Sequence, residues 1–183
     1  MQVYIAFLRG VNMTGHNSIK MDDLVKMFTA IGFKDAVTYI QSGNVIFTGD
    51  QSVKVEQLEK KIEGAINKKW GYDVATMVRT REDTVKIISA NPFIEDEAFH
   101  PSKTSAVILL SEKPVSEQLF KIKDIDYPPD RFIIIGREIY ILCPNGFGRT
   151  KLYTNFFEGK LKIKGTARNM KTLAAILEIA EKF

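Results

Sequence analysis

Apolar positions recur along this chain with two different periods, and the changes of period divide it into elements. Over residues 3–8 the sets Val3, Ile5, Phe7 and Tyr4, Ala6, Leu8 are both largely apolar, which is a strand with two hydrophobic faces. Both faces should be covered, by a second lobe or by a dimer partner. The spacing then lengthens. Met21, Leu24, Val25, Phe28 and Ile31 share one helical face, with Asp22 and Asp23 in the first turn and Gly32 placed to close the helix in the left-handed conformation. Strand patterning returns in AVTYIQ and VIFTG, joined as a hairpin through Ser42, Gly43 and Asn44. VEQLEKKIEGAINKKW places Val55, Leu58, Ile62, Ala65 and Ile66 on one face of a long helix, and DVATMVRT supplies another strand. The order βαββαβ predicts a ferredoxin-like unit, an antiparallel four-stranded sheet with two helices on one face.

A further helix is expected over TREDTVKIISANPF, with Thr80 and Asp83 spaced as a capping box and Asn91-Pro92 as its stop. The polar, acidic stretch IEDEAFHPSK reads as a boundary, after which the pattern restarts. TSAVILLS is a strand, PVSEQLFKIK a helix with Pro114 in its first turn, and RFIIIGREIYILCP a pair of strands around Gly136 and Arg137. LYTNFFEGKL and TARNMKTLAAILEIAEKF read as helices, the second capped by Thr166 with Leu173, Ile176, Leu177 and Ala180 inward, and KLKIK between them is a candidate closing strand. The expected fold is α+β. A ferredoxin-like subdomain (βαββαβ) with an extra helix spans residues 1–93, a linker 94–103, and a second subdomain (βαββα) with a C-terminal helix 104–183, both with antiparallel sheets.

Composition adds bounds to this outline. At 183 residues, 45% apolar and 26% charged, the chain has the make-up of a globular protein. It has no basic leader, and no apolar run approaches the roughly 18 residues of a membrane span, so a cytoplasmic protein is expected. The single cysteine, Cys143, lies in the apolar run YILCP and reads as an inert core thiol. His16 and His100 are isolated, so neither a metal site nor a cofactor is expected. The net charge of +4 suits an anionic partner. Glu56, Glu59, Lys60, Lys61, Glu63, Lys68 and Lys69 of the second helix read mostly as a mixed-sign exposed face.

Three stretches bear on chemistry. In FLRGVNMTGHNSIKM, Gly10 and Gly15 have the spacing of a phosphate-binding Walker loop, but His16 and Asn17 stand where Lys and Ser or Thr are needed. A looser anion site survives that failure, because Arg9, Asn12, Asn17 and Lys20 crowd a strand-to-helix turn with donors. The competing reading is a long loop that satisfies its own backbone. VYIAFL is similar to the first strand of an RNA-recognition sheet, but its partner segment IQSGNVIF has Ser42 and Asn44 at the first two aromatic positions, so Tyr4 and Phe47 are expected in the core. Arg149, Lys151, Lys160, Lys162, Lys164, Arg168 and Lys171 form the most basic segment. There Arg168 is expected in the first turn of the last helix, turned outward to an anion or paired with an acid. No nucleophile elbow occurs and Ser42 has no base near it in sequence, so no reaction class can be read.

LRGVNMTGHNSIKM, YIQSGNVIF and TARNMKTL, in this order, resemble the bacterial domain-of-unknown-function 1697 family over nearly the whole length. The resemblance implies an α+β protein with two ferredoxin-like subdomains and implies no activity. It carries the family pattern onto Arg9, Gly10, Asn12, Gly15 and Lys20, onto Gln41, Ser42, Gly43 and Asn44, and onto Thr166, Arg168, Asn169 and Thr172. The chain departs from the pattern at Thr14-Gly15, where members carry a double glycine, and at Met170, where they carry an aromatic.

The resulting hypothesis is that Arg9, Asn12, Lys20, Gln41, Ser42, Asn44, Thr166, Arg168 and Asn169 converge in a polar cleft between the lobes. They would bind a small phosphate-bearing molecule there, such as a nucleotide or sugar phosphate. One alternative is a nucleic-acid-binding module built on residues 149–171, which requires a continuous basic stripe. Another is a structural or interaction protein whose motifs lock the fold, which requires Arg168 to be buried and paired with protein acceptors. A homodimer is compatible with all three.

Overall fold

The computed structural model describes residues 1–13 and 15–183, and the chain divides into two compact units, residues 1–86 with 175–183, and residues 87–174. In the first unit the elements run β1 (Gln2–Leu8), α1 (Met21–Ala30), β2 (Lys34–Tyr39), β3 (Asn44–Gly49), α2 (Val55–Trp70) and β4 (Thr76–Thr80), followed by α3 (Arg81–Ser89). The sheet is antiparallel in the order β2-β3-β1-β4, the ferredoxin-like arrangement expected from the element order.

Tyr4, Ala6, Leu8, Val45 and Phe47 of this sheet join Leu24, Phe28, Leu58, Ile62 and Ile66 of the helices in one core. Tyr4 and Phe47 stack there with ring centroids 5.6 Å apart, so neither ring is offered to a base. Ile5 and Phe7, on the opposite face of β1, are also fully buried within the single chain, as the doubly apolar strand requires. α1 ends as expected: Gly32 adopts φ +91°, and the N–H groups of Gly32 and Phe33 donate to Thr29 and Phe28 carbonyls.

The second unit contains β5 (Ser105–Leu110), α4 (Ser116–Phe120), β6 (Arg131–Ile135), β7 (Glu138–Leu142), α5 (Thr154–Leu161) and β8 (Gly165–Asn169), and α6 (Met170–Ala180) follows. Its sheet order, β6-β7-β5-β8, reproduces that of the first unit. Ile108, Leu110, Ile139 and Ile141 meet Leu152, Phe157, Leu161 and Ile163 in its core.

Two expectations need correction here. KLKIK is not the closing strand, because Lys162 takes the left-handed conformation (φ +60°) that caps α5 and donates its N–H to the Glu158 carbonyl. The closing strand is β8, and the last helix starts at Met170 rather than after Thr166. Residues 165–169 have too weak a local preference to resist pairing with the open edge of β5, where Val107 faces Arg168 and Leu109 faces Thr166.

The exposed-face reading of α2 also changes. Glu59 is buried and accepts the Val78 N–H at 2.8 Å, while Glu63 accepts the Thr76 N–H at 2.8 Å. Both carboxylates satisfy outward-facing donors of β4, the edge strand of this sheet among the described residues. In the second unit Glu158 of α5 does the same for edge strand β8, accepting the Gly165 N–H at 2.8 Å.

Candidate functional site

The first two polar motifs come together at one end of the first sheet. Asn12, at φ +56°, donates from its side-chain amide to the carbonyls of Ile19 and Gln41, both at 2.9 Å, and its Oδ1 accepts the Ile19 N–H at 2.8 Å. One carboxamide thus closes the 12–19 loop on itself and ties it to the 40–43 turn. Asn17, also left-handed at φ +49°, donates to the Gly10 carbonyl at 3.3 Å. Leu8 N–H to Gly43 carbonyl at 2.8 Å adds a second tie between the two segments.

Asn44 is fully buried and donates to the Tyr39 carbonyl at 3.1 Å and the Ser42 hydroxyl at 3.0 Å. Gly43 has φ +70°, and a Cβ there would stand 2.8 Å from the Leu8 Cβ, so only glycine fits the turn. The turn's other left-handed residue is Ile40 at φ +51°, not Asn44. This is a strained conformation for a β-branched side chain. Lys20 and Gln41 are solvent-exposed at the rim, Arg9 is half-buried, and Lys20 occupies the N-cap of α1 without a side-chain cap bond. Thr14, where the family pattern has a glycine, lies outside the described residues.

Thr166, Arg168 and Asn169 belong to the second unit. Arg168 is on strand β8, not in a helix turn, and its register opposite Val107 puts it on the sheet face away from the Ile108 and Leu110 core. It is buried, and Nη1 donates to the Thr166 hydroxyl and the Ala167 carbonyl, both at 2.8 Å. Burial pushes its pKa down to about 10, which leaves it charged at neutral pH. Asn169 accepts the Thr172 N–H on its Oδ1 at 2.8 Å and so caps α6.

Sequence reasoning missed that the first unit contains the same device. Arg79 of β4 is buried opposite Ile5 and donates from Nη1 to the carbonyl of the preceding residue, Val78, at 3.0 Å. The next residue, Thr80, caps α3 by accepting the Asp83 N–H at 2.9 Å, and Asp83 returns a bond to the Thr80 N–H at 3.3 Å, completing the expected capping box. Arg79-Thr80 and Arg168-Asn169 are equivalent. The legible signal was an arginine followed by a capping residue at the end of each fourth strand.

A cavity of about 250 Å³ is lined by Ile108, Phe147, Tyr153, Ala167, Arg168 and Asn169 among others. In the basic segment Lys160, Lys162 and Lys164 are exposed and alternate with buried Leu161 and Ile163, and Arg168 itself is buried. Cys143 is buried and its thiol pKa is raised, chiefly by that burial. Among the described residues no group of three or more His, Cys, Asp or Glu side chains could hold a metal ion, and no helix is long and apolar enough to cross a membrane.

A ferredoxin-like unit used twice, with a polar loop at the end of its first sheet and a buried arginine before a capped helix in each half, defines an α+β protein of duplicated architecture. Residues 1–140 match the family described as "Protein of unknown function (DUF1697)", and the chain belongs to that family. No curated protein matches the chain. Among solved structures it is similar to a conserved bacterial protein of Streptococcus pneumoniae, with a TM-score of 0.71 at 19% identity over 98% of each chain. At that identity the likeness establishes the fold.

Proposed function

We propose that the chain binds a small phosphate-bearing molecule at the rim of the first unit's polar loop, with Arg9, Lys20 and Gln41 contacting the anion and Asn12, Ser42 and Asn44 holding the loop in shape. The observation that carries this reading is the concentration of left-handed backbone at one place. Asn12, Asn17 and Ile40 adopt it alongside Gly10, Gly15 and Gly43, and the Asn12 amide ties these segments together while Lys20 and Gln41 point into solvent beside them. Glycine and asparagine adopt this conformation readily, whereas at Ile40 it costs about 1–3 kcal/mol, strain that is typically retained where a fixed loop shape is needed. The uncapped N-terminus of α1 adds N–H donors to the same rim.

Thermal-shift screening with inorganic phosphate, nucleotides and sugar phosphates tests the proposal. An anion at 100 times its dissociation constant should stabilise the chain by roughly 2.7 kcal/mol, and Lys20→Ala with Gln41→Ala should weaken it about tenfold or more. If no anion shifts the midpoint, or if the double variant binds as well as the parent, the reading is wrong.

A second reading places a ligand in the 250 Å³ cavity of the second unit, supported by aromatic walls (Phe147, Tyr153) and polar groups from Asn169 and Thr154. Ala167→Phe would fill that cavity and leave the first-unit loop untouched. Loss of the anion-induced shift in that variant alone would move the site there.

A further inference from the structure

Two loops of the second unit bring charges of opposite sign to one place. The hairpin register pairs Arg131 at the start of β6 with Leu142 at the end of β7, so the loop entering β6 and the loop leaving β7 emerge at the same end of the sheet. The first contributes Asp126 and Asp130, and the second Arg149 and Lys151, to the lining of a cleft of about 300 Å³ that is separate from the 250 Å³ cavity. Each loop is held by its own bonds: the Asp130 N–H donates to the Tyr127 carbonyl and the Leu152 N–H to the Thr150 hydroxyl, both at 2.9 Å. Among the described residues no ion pair joins either acid to either base. Lys151 instead places Nζ 5.1 Å from the centre of the Tyr127 ring, and that ring meets Phe156 edge-on with centroids 5.9 Å apart.

Opposite charges that line one cleft without neutralising each other suit a ligand that carries both signs itself. A guanidinium takes a carboxylate through two parallel bonds, and carboxylates accept the three donors of a primary ammonium. Asp126, Tyr127 and Asp130 also border an apolar groove of about 380 Å³, whose lining includes Ile122, Ile125 and Ile134. The other charged groups of that groove are already engaged, Arg131 by Asp96 at 2.6 Å and Lys123 by Asp124 at 4.0 Å. A dipolar head and an apolar body are thus accommodated side by side. We propose that the cleft binds a free α-amino acid with a large apolar side chain. Its carboxylate lies on Arg149 and Lys151, its ammonium on Asp126 and Asp130, and its side chain passes Tyr127 into the groove. The site lies wholly in the second unit and is independent of the phosphate reading.

Calorimetric titration of the full chain with L-leucine and L-phenylalanine tests the proposal. The comparison compounds are leucinamide, which lacks the carboxylate, 4-methylpentanoate, which lacks the ammonium, and glycine, which lacks the side chain. At least one of the two apolar amino acids should bind about tenfold tighter or more than each of these three. Arg149→Gln and Asp126→Asn, both at exposed positions, should leave the thermal midpoint of the unliganded chain unchanged, while each lowers amino-acid affinity about tenfold. Lys20→Ala with Gln41→Ala, in the first unit, should leave that affinity unaltered. The proposal is overturned if neither amino acid binds, or if both bind no better than the three comparison compounds. It is also overturned if Arg149→Gln and Asp126→Asn bind as well as the parent, which would leave the four charges as solvated surface groups.

Discussion

The end of β4 and the end of β8 are the same construction made from different residues. Each is an edge strand whose outward N–H is taken by a glutamate on the preceding helix, each carries a buried arginine bonded to the carbonyl before it, and each passes into a helix through a capping side chain. Only the β8 version stands out in the sequence, because TARN falls in a stretch that resembles the family pattern. The comparison shows that a polar motif at this position can be explained by folding alone: the first unit uses Arg79 and Thr80 for the same task without belonging to any of the three motifs. It also separates the motifs. At the corresponding end of the second sheet, where β6 turns into β7 at Gly136 and Arg137, the Leu110 N–H donates to the Arg137 carbonyl at 2.8 Å, as the Leu8 N–H does to Gly43. Among the described residues, however, no asparagine ties the loop after β5 to that turn as Asn12 does in the first sheet.

The comparison can be broken most readily at the arginines. Arg79→Ala should cost about 3 kcal/mol and Arg168→Ala about 2 kcal/mol, from lost charged hydrogen bonds and the space left behind, the order following their exposures of 1% and 9%. Urea denaturation measures both. Arg168→Met should recover most of the loss, since a buried charge replaced by an apolar side chain of similar volume is often near neutral. A stable Arg168→Met protein whose anion-induced shift is unchanged would confine Arg168 to a folding role.

The glutamates come next. Glu59→Ala should cost roughly 2 kcal/mol and Glu158→Ala roughly 1 kcal/mol, because the first leaves a buried N–H unpaired and the second a donor closer to solvent. Equal effects would mean that the two donors are equally shielded from solvent. The smallest effects belong to the caps. Thr80→Ala and Asn169→Ala should each cost about 1 kcal/mol, whereas Asn169→Gly should cost only a few tenths, and thermal unfolding at matched protein concentration distinguishes them.

Much of the fold was legible because its signals are local. The change from period 2 to period 3.6, Gly32 closing α1, the Thr80 and Asp83 capping box and the doubly apolar β1 are each written in adjacent residues, and each appears in the structure. The polar loop was partly legible: its donors were identified, but Asn12 and Asn44 are used up on backbone carbonyls and, for Asn44, the Ser42 hydroxyl, partners that no spacing rule reveals.

What only tertiary structure decided depends on contacts between residues far apart in the chain. Residues 165–169 became a strand because β5 offered an unpaired edge, and that moved Arg168 from a helix terminus to a buried strand position. Glu59, Glu63 and Glu158 became edge guards rather than surface charge because a helix lies beside the strand that each one serves. A sequence fixes which residues carry donors, charges and apolar bulk, but whether a donor is satisfied depends on which distant strand or helix folding brings beside it.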